Sequence, residues 1–143
     1  MRNNKLQEQF VELRIMLQSI CDGFDAENLN KKSSLTMRTK VLYALSKNER
    51  CCPSVLIDKL GIAKSNLALL CKTMCEDGVI FAVKSEQDKR NIYYSITEKG
   101  LAELNGFYNA MAEEIKLTDR ETKVMEKKFS EIIEFINKKY NKN

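Results

Sequence analysis

Residues 61–80, GIAKSNLALLCKTMCEDGVI, gather the side chains with the widest chemical scope in the chain. A helix over Ser65–Asp77 is expected, stopped by Gly78. With Leu67 as origin and about 100° per residue, Leu70, Cys71 and Met74 fall within about 60° of it. Ser65, Leu69, Lys72, Thr73 and Glu76 gather on the opposite side, and the first turn adds Lys64 and Asn66. Hydroxyls and an amide exchange hydrogen bonds with polar edges, and lysines pair with anions. This is a recognition chemistry rather than a bond-breaking one.

The sequence contains no histidine, which removes Ser-His and Cys-His catalysis and His-ligated metals. Five glycines form neither a GxGxxG nor a GxxxxGK[ST] loop to hold phosphates. The chain is therefore expected not to be an enzyme, and to carry no cofactor. Cys51 and Cys52 are adjacent and lack the spacing of zinc ligands, so no metal is expected. Cys71 lies on the inner helix face as a small core residue, and Cys51 is expected to be buried beside a hairpin. Cys71 and Cys75, four apart on one helix, have poor disulfide geometry.

A length of 143 residues suits one domain of ordinary size. No apolar run approaches the roughly 18 residues of a membrane span, and the start MRNNKLQEQF has no signal core. Five cysteines without a signal fit a reducing cytoplasm, without contact with a membrane. The net charge of +4 is localised: residues 36–100 carry eleven basic and seven acidic side chains, and both flanks balance. A basic middle between neutral ends points to a polyanion partner.

The elements that must position these residues are mainly α, with a small β-hairpin. Leu6, Phe10, Leu13, Leu17, Ile20 and Phe24 form a helical stripe that ends near Asp22 and Gly23. Thr36–Ser46 follows, with Met37, Val41, Leu42 and Leu45 inward. Pro53 suits a first helical position, with Cys52 at the cap, and Leu56, Ile57 and Leu60 lead to Gly61. This short helix and the next make a helix-turn-helix. VIFAV and NIYYSIT then alternate with period two around the charged tip KSEQDKR, in the outline of a winged helix. Thr97 caps a helix with Leu101, Leu104, Tyr108, Met111 and Ile115 in step. TDRE at 118–121 is a capping box that opens a last helix through Met125, Phe129, Ile132, Ile136 and Tyr140.

This order resembles the MarR family of bacterial winged-helix regulators, most closely over Leu35–Gly100. The resemblance rests on LIDKLGIAKSNLALLCKTMCEDGVI and DKRNIYYSITEKG. The family's wing carries Asp-x-Arg and then Leu-Thr-x-x-Gly. Here these read Asp88-Lys89-Arg90 and Ile96-Thr97-Glu98-Lys99-Gly100. It implies a homodimer whose first and last helices pack against their mates, acting as a repressor that a small-molecule effector or an oxidant releases. The domains expected are a dimerisation helix and loop over 1–34, a winged helix-turn-helix lobe over 35–100, and C-terminal dimerisation helices over 101–143. Phe10, Leu13, Leu17, Phe129, Ile132 and Ile136 are the candidate dimer residues.

An α-helix fits the major groove of B-DNA, and its N-terminal residues reach base edges first. Asn66 suits adenine and Leu69 a thymine methyl, Ser65 caps the helix or meets an edge, and Lys64 and Lys72 suit phosphates. Thr73 completes the face, and Ser54 at a helix N-terminus is a further phosphate contact. Family analogy places Arg90 in the minor groove with Asp88 orienting it and Lys89 beside it. Many members carry Thr and Arg where Ala68 and Leu69 stand, so an A·T-rich duplex is expected, pseudo-palindromic to match the two lobes of a dimer. Some relatives sense oxidants through a cysteine near the first helix, which makes Cys21 a redox candidate despite acidic Asp22 and Asp25. The alternative to DNA binding is a winged-helix module that binds protein, and a shallow salt dependence would mark it.

Overall fold

The computed structural model describes residues 4–22, 35–88 and 90–140, with the backbone alone for 18–22. Six helices and one hairpin follow one another: α1 (Lys5–Asp22), α2 (Met37–Ser46), α3 (Pro53–Leu60), α4 (Lys64–Glu76), β1 (Ile80–Lys84), β2 (Ile92–Ile96), α5 (Glu98–Glu114) and α6 (Asp119–Tyr140). They fall into two units, residues 1–112 and 113–143.

In the first unit, the core is built where several apolar stripes converge. Val41, Leu42 and Leu45 of α2, Leu56 of α3, and Leu67, Cys71 and Met74 of α4 are all at most 1 % exposed. Val79 and Ile80 close it from the hairpin, and Leu104 and Phe107 from α5. β1 and β2 pair antiparallel, with Ile80 opposite Ile96 and Lys84 opposite Ile92. Cys51 adds a third edge through two backbone bonds with Tyr94, of 2.9 and 2.8 Å. It is buried, as the sequence led us to expect.

Local chemistry explains the helix ends. The Thr36 hydroxyl accepts the Thr39 N–H at the start of α2. Pro53 occupies the first turn of α3, where its missing N–H has no partner to lose. α4 ends in a Schellman arrangement: Val79 N–H bonds Met74 O and Gly78 N–H bonds Cys75 O, with Gly78 at φ +74°.

Two expectations are corrected. α4 starts at Lys64 with Ala63 at its cap, so Ser65 lies inside the first turn and does not cap it. The α5 stripe is also rolled relative to the reading from spacing. Leu104 and Phe107 are buried and Met111 partly so, whereas Leu101 and Tyr108 are 42 and 39 % exposed. α5 thus contributes to the lobe's core beyond residue 100.

α1 displays Leu6, Phe10, Val11, Leu13, Ile15, Met16 and Leu17 on its surface. Ile20 and Cys21 lie where side chains are not described, and Phe24 lies outside the described residues. In the second unit, the α6 box forms as expected: Glu121 N–H donates to the Thr118 hydroxyl at 3.1 Å, and Thr118 N–H to the Glu121 carboxylate at 3.2 Å. Among the described residues, no helix is long and apolar enough to cross a membrane.

Candidate nucleic-acid interface

The buried stripe of α4 fixes which of its side chains face outward. Leu67, Cys71 and Met74 are buried, Leu70 and Cys75 are half-buried, and Lys64, Ser65, Asn66, Ala68, Leu69, Lys72, Thr73 and Glu76 are exposed. Leu69 is 68 % exposed in the middle of this face. The Thr73 hydroxyl is already engaged, donating to Leu69 O at 3.2 Å. What it offers outward is a methyl group and an acceptor.

Ser54 is exposed in the first turn of α3. Its hydroxyl lies 3.2 Å from the Cys52 sulfur. That contact, together with the Val55 N–H, pulls the Cys52 thiol below its ordinary pKa of 9.0. Burial has the opposite effect on the other described cysteines. It pushes Cys71 up to about 11 and raises Cys51 and Cys75. Among the described residues no cluster of three or more Cys, Asp or Glu side chains could hold a metal.

The hairpin tip is organised by Asp88. Its carboxylate accepts the Arg90 backbone N–H at 3.0 Å and Arg90 Nε at 3.4 Å, and its carbonyl accepts the Asn91 N–H at 2.9 Å. The Arg90 side chain remains 93 % exposed. Lys89 lies outside the described residues. Further down, Arg50 stacks over the Tyr93 ring at 4.8 Å, and Ser95 donates to Glu49 O at 2.9 Å. Arg50 was not singled out by sequence reasoning; its place next to the strand residue Cys51 was the available signal.

The junction of hairpin and α5 explains the Thr-x-x-Gly spacing. The Thr97 hydroxyl donates to Gly78 O at 2.7 Å and accepts the Gly100 N–H at 3.1 Å. It therefore caps α5 and holds the turn after α4 at once. A Cβ on Gly100 would collide with the Val79 carbonyl oxygen and come within 2.7 Å of Ile96 Cγ1. Only glycine lets α5 lie this close to the strand.

The winged helix DNA-binding domain family matches residues 37–115. No curated protein sequence matches the chain. Among solved structures, NadR in complex with 4-hydroxyphenylacetate is similar, at TM-score 0.76 and 13 % identity over 100 % of this chain and 97 % of that one. Sco3205 from Streptomyces coelicolor, a MarR family transcriptional regulator in complex with DNA, matches at TM-score 0.60 and 16 % identity, over 95 % and 90 %. A mutant MarR from E. coli complexed with operator DNA matches at TM-score 0.59 and 18 % identity, over 90 % and 96 %. At such identities the likeness is one of fold. With its helix-turn-helix, hairpin and Thr97–Gly100 junction in one core, the chain has the fold of MarR-family regulators and belongs to the winged helix DNA-binding domain family.

Proposed function

We propose that the chain acts as a homodimeric, sequence-specific DNA-binding transcriptional regulator in the cytoplasm. It would work as a repressor that leaves its site when a small ligand or an oxidant binds. The observation that carries this reading is the uncovered face of α4, where Lys64, Ser65, Asn66, Leu69, Lys72 and Thr73 are all exposed on the side opposite the buried stripe of Leu67, Cys71 and Met74. Arg90 at the tip of the wing, with Asp88 setting its backbone, is the second contact point. Structures of the same fold in Streptomyces coelicolor and E. coli were solved with DNA, and NadR with an aromatic acid, which supports the two classes of ligand.

Leu69 in place of an arginine favours thymine methyls over guanine edges, and an arginine-tipped wing favours a narrow minor groove. An A·T-rich, pseudo-palindromic site with half-sites about 10 bp apart is the expected target. Binding selection from random duplexes at two salt concentrations tests this. A two-fold, A·T-rich consensus whose affinity falls steeply with salt is the expected result. Recovery of a G·C-rich core would sink the A·T preference. Absence of any complex at low salt would sink the whole reading in favour of a protein-binding module.

A further inference from the structure

Charged groups from three separate parts of the chain meet at the C-terminal end of α4. Arg38, in the first turn of α2, donates from Nε to Glu103 Oε2 at 2.8 Å and from Nη2 to Glu103 Oε1 at 2.9 Å. Its Nη1 donates to Asp77 Oδ2 at 2.5 Å. Asp77 is the C-cap of α4, and its carbonyl also accepts from Lys99 Nζ at 2.7 Å. Glu103 and Lys99 both belong to α5, so two side chains of that helix serve the same end of α4.

The Arg38 side chain is 28 % exposed, so these bonds are partly shielded from water. A planar guanidinium presents donors to two carboxylates at once, which an ammonium does not do with the same geometry. The bonds to Glu103, more than those to Asp77, hold the Arg38 pKa above its already high ordinary value, so the arginine end of the link does not titrate.

The apolar contacts of Leu67, Cys71 and Met74 keep α4 on the core, but such contacts are non-directional and leave roll and pitch less defined. Hydrogen bonds to one end of a 13-residue helix are directional and set both. We infer that Arg38 is a positioning residue for α4: by bridging Asp77 and Glu103 it fastens the end of the helix to α5 and sets the angle at which Lys64–Thr73 meet a duplex. Arg38 itself touches no DNA. The inference rests on the DNA-binding reading above.

The full-length chain is compared with Arg38→Met, Arg38→Lys, Glu103→Gln and the double variant Arg38→Met/Glu103→Gln. Affinity is measured for the selected duplex and for a scrambled one at two salt concentrations. Circular dichroism confirms folding, and amide hydrogen exchange follows residues 73–79. Arg38→Met is expected to weaken binding to the selected duplex about tenfold, the scale of lost charge-assisted bonds. The scrambled duplex and the salt slope should barely change, and exchange at the end of α4 should quicken. Arg38→Lys should recover part of the affinity, and the double variant should be no worse than Arg38→Met.

Unchanged affinity for the selected duplex overturns the inference. So does a salt slope reduced by about one, which would make Arg38 a phosphate contact. Parallel losses on both duplexes also overturn it, reducing the residue to a structural brace. Wild-type protein that binds no duplex defeats the DNA reading itself, and equal exchange in wild type and Arg38→Met then defeats the fastening as well.

Discussion

Arg90 is the side chain on which the wing's role can be isolated. It is 93 % exposed and its contacts run to Asp88, so its removal leaves the core intact. Arg90→Ala is expected to weaken binding to the selected duplex by about 1–3 kcal/mol with an unchanged melting temperature. Equal affinity in gel-shift titrations would take the wing out of the interface. The cysteines separate by environment in the same way. Cys52 is pulled down by the Ser54 hydroxyl and the Val55 N–H, whereas burial holds Cys71 up at about 11 and raises Cys51 and Cys75. The thiolate is the reactive form. At neutral pH, iodoacetamide should therefore label Cys52 ahead of those three. Peptide mapping that found Cys71 or Cys75 labelled first would contradict the packing described for α4.

Among the elements, the α5 junction is buried at Gly100, whereas the α6 box lies exposed. Gly100→Ala forces a Cβ against the Val79 carbonyl oxygen, so the hairpin or α5 must shift. A loss of about 1–3 kcal/mol in urea unfolding is expected, the range of an overpacked core. The Thr118–Glu121 box is exposed and sensitive to pH instead. Bonds from the Thr118 N–H and hydroxyl hold the Glu121 carboxyl below 4.5. A carboxyl lowered on folding stabilises the folded form above its unfolded pKa, and that help is lost as pH falls through the folded value. The first turn of α6 should therefore fray on acidification below about pH 4.5; Glu121→Gln should abolish that dependence, and Thr118→Ala, which keeps the backbone N–H, should only reduce it. Amide exchange at residues 119–122 reads both.

Much of this was legible because local chemistry repeats. Helix periods, Pro53, the TDRE box and the alternation of NIYYSIT each carry a signal within a few residues. The outward set on α4 followed from one buried stripe. The roll of α5 was not legible, since 101–104–108 and 100–104–107 are both helical spacings. The contact of Gly100 with Val79 chooses between them. The link from Arg38 to Asp77 and Glu103 spans separations of 39 and 65 residues, and leaves no pattern along the chain.

For the whole molecule, the deciding question is what covers the terminal helices. Phe10, Leu13 and Leu17 on α1 are 58, 37 and 38 % exposed, and Ile132 and Ile136 on α6 are 43 and 38 % exposed, with Phe129 half-buried. Burying one such side chain fully contributes roughly 1.5–3 kcal/mol. Two chains that cover these stripes on each other gain on the order of 10–20 kcal/mol even with partial burial. Association costs about 4–15 kcal/mol. The balance favours a dimer, but by a margin that a few side chains can reverse. Wild-type protein is therefore expected to sediment at twice 16.5 kDa at micromolar concentration. Phe10→Ser combined with Leu17→Ser should shift it to monomer while each lobe stays folded. Because two lobes must span two half-sites, that variant should lose far more affinity for the full site than for an isolated half-site. A wild-type monomer in the same experiment, or a double variant that keeps full-site affinity, would place the contact between copies somewhere other than these helices.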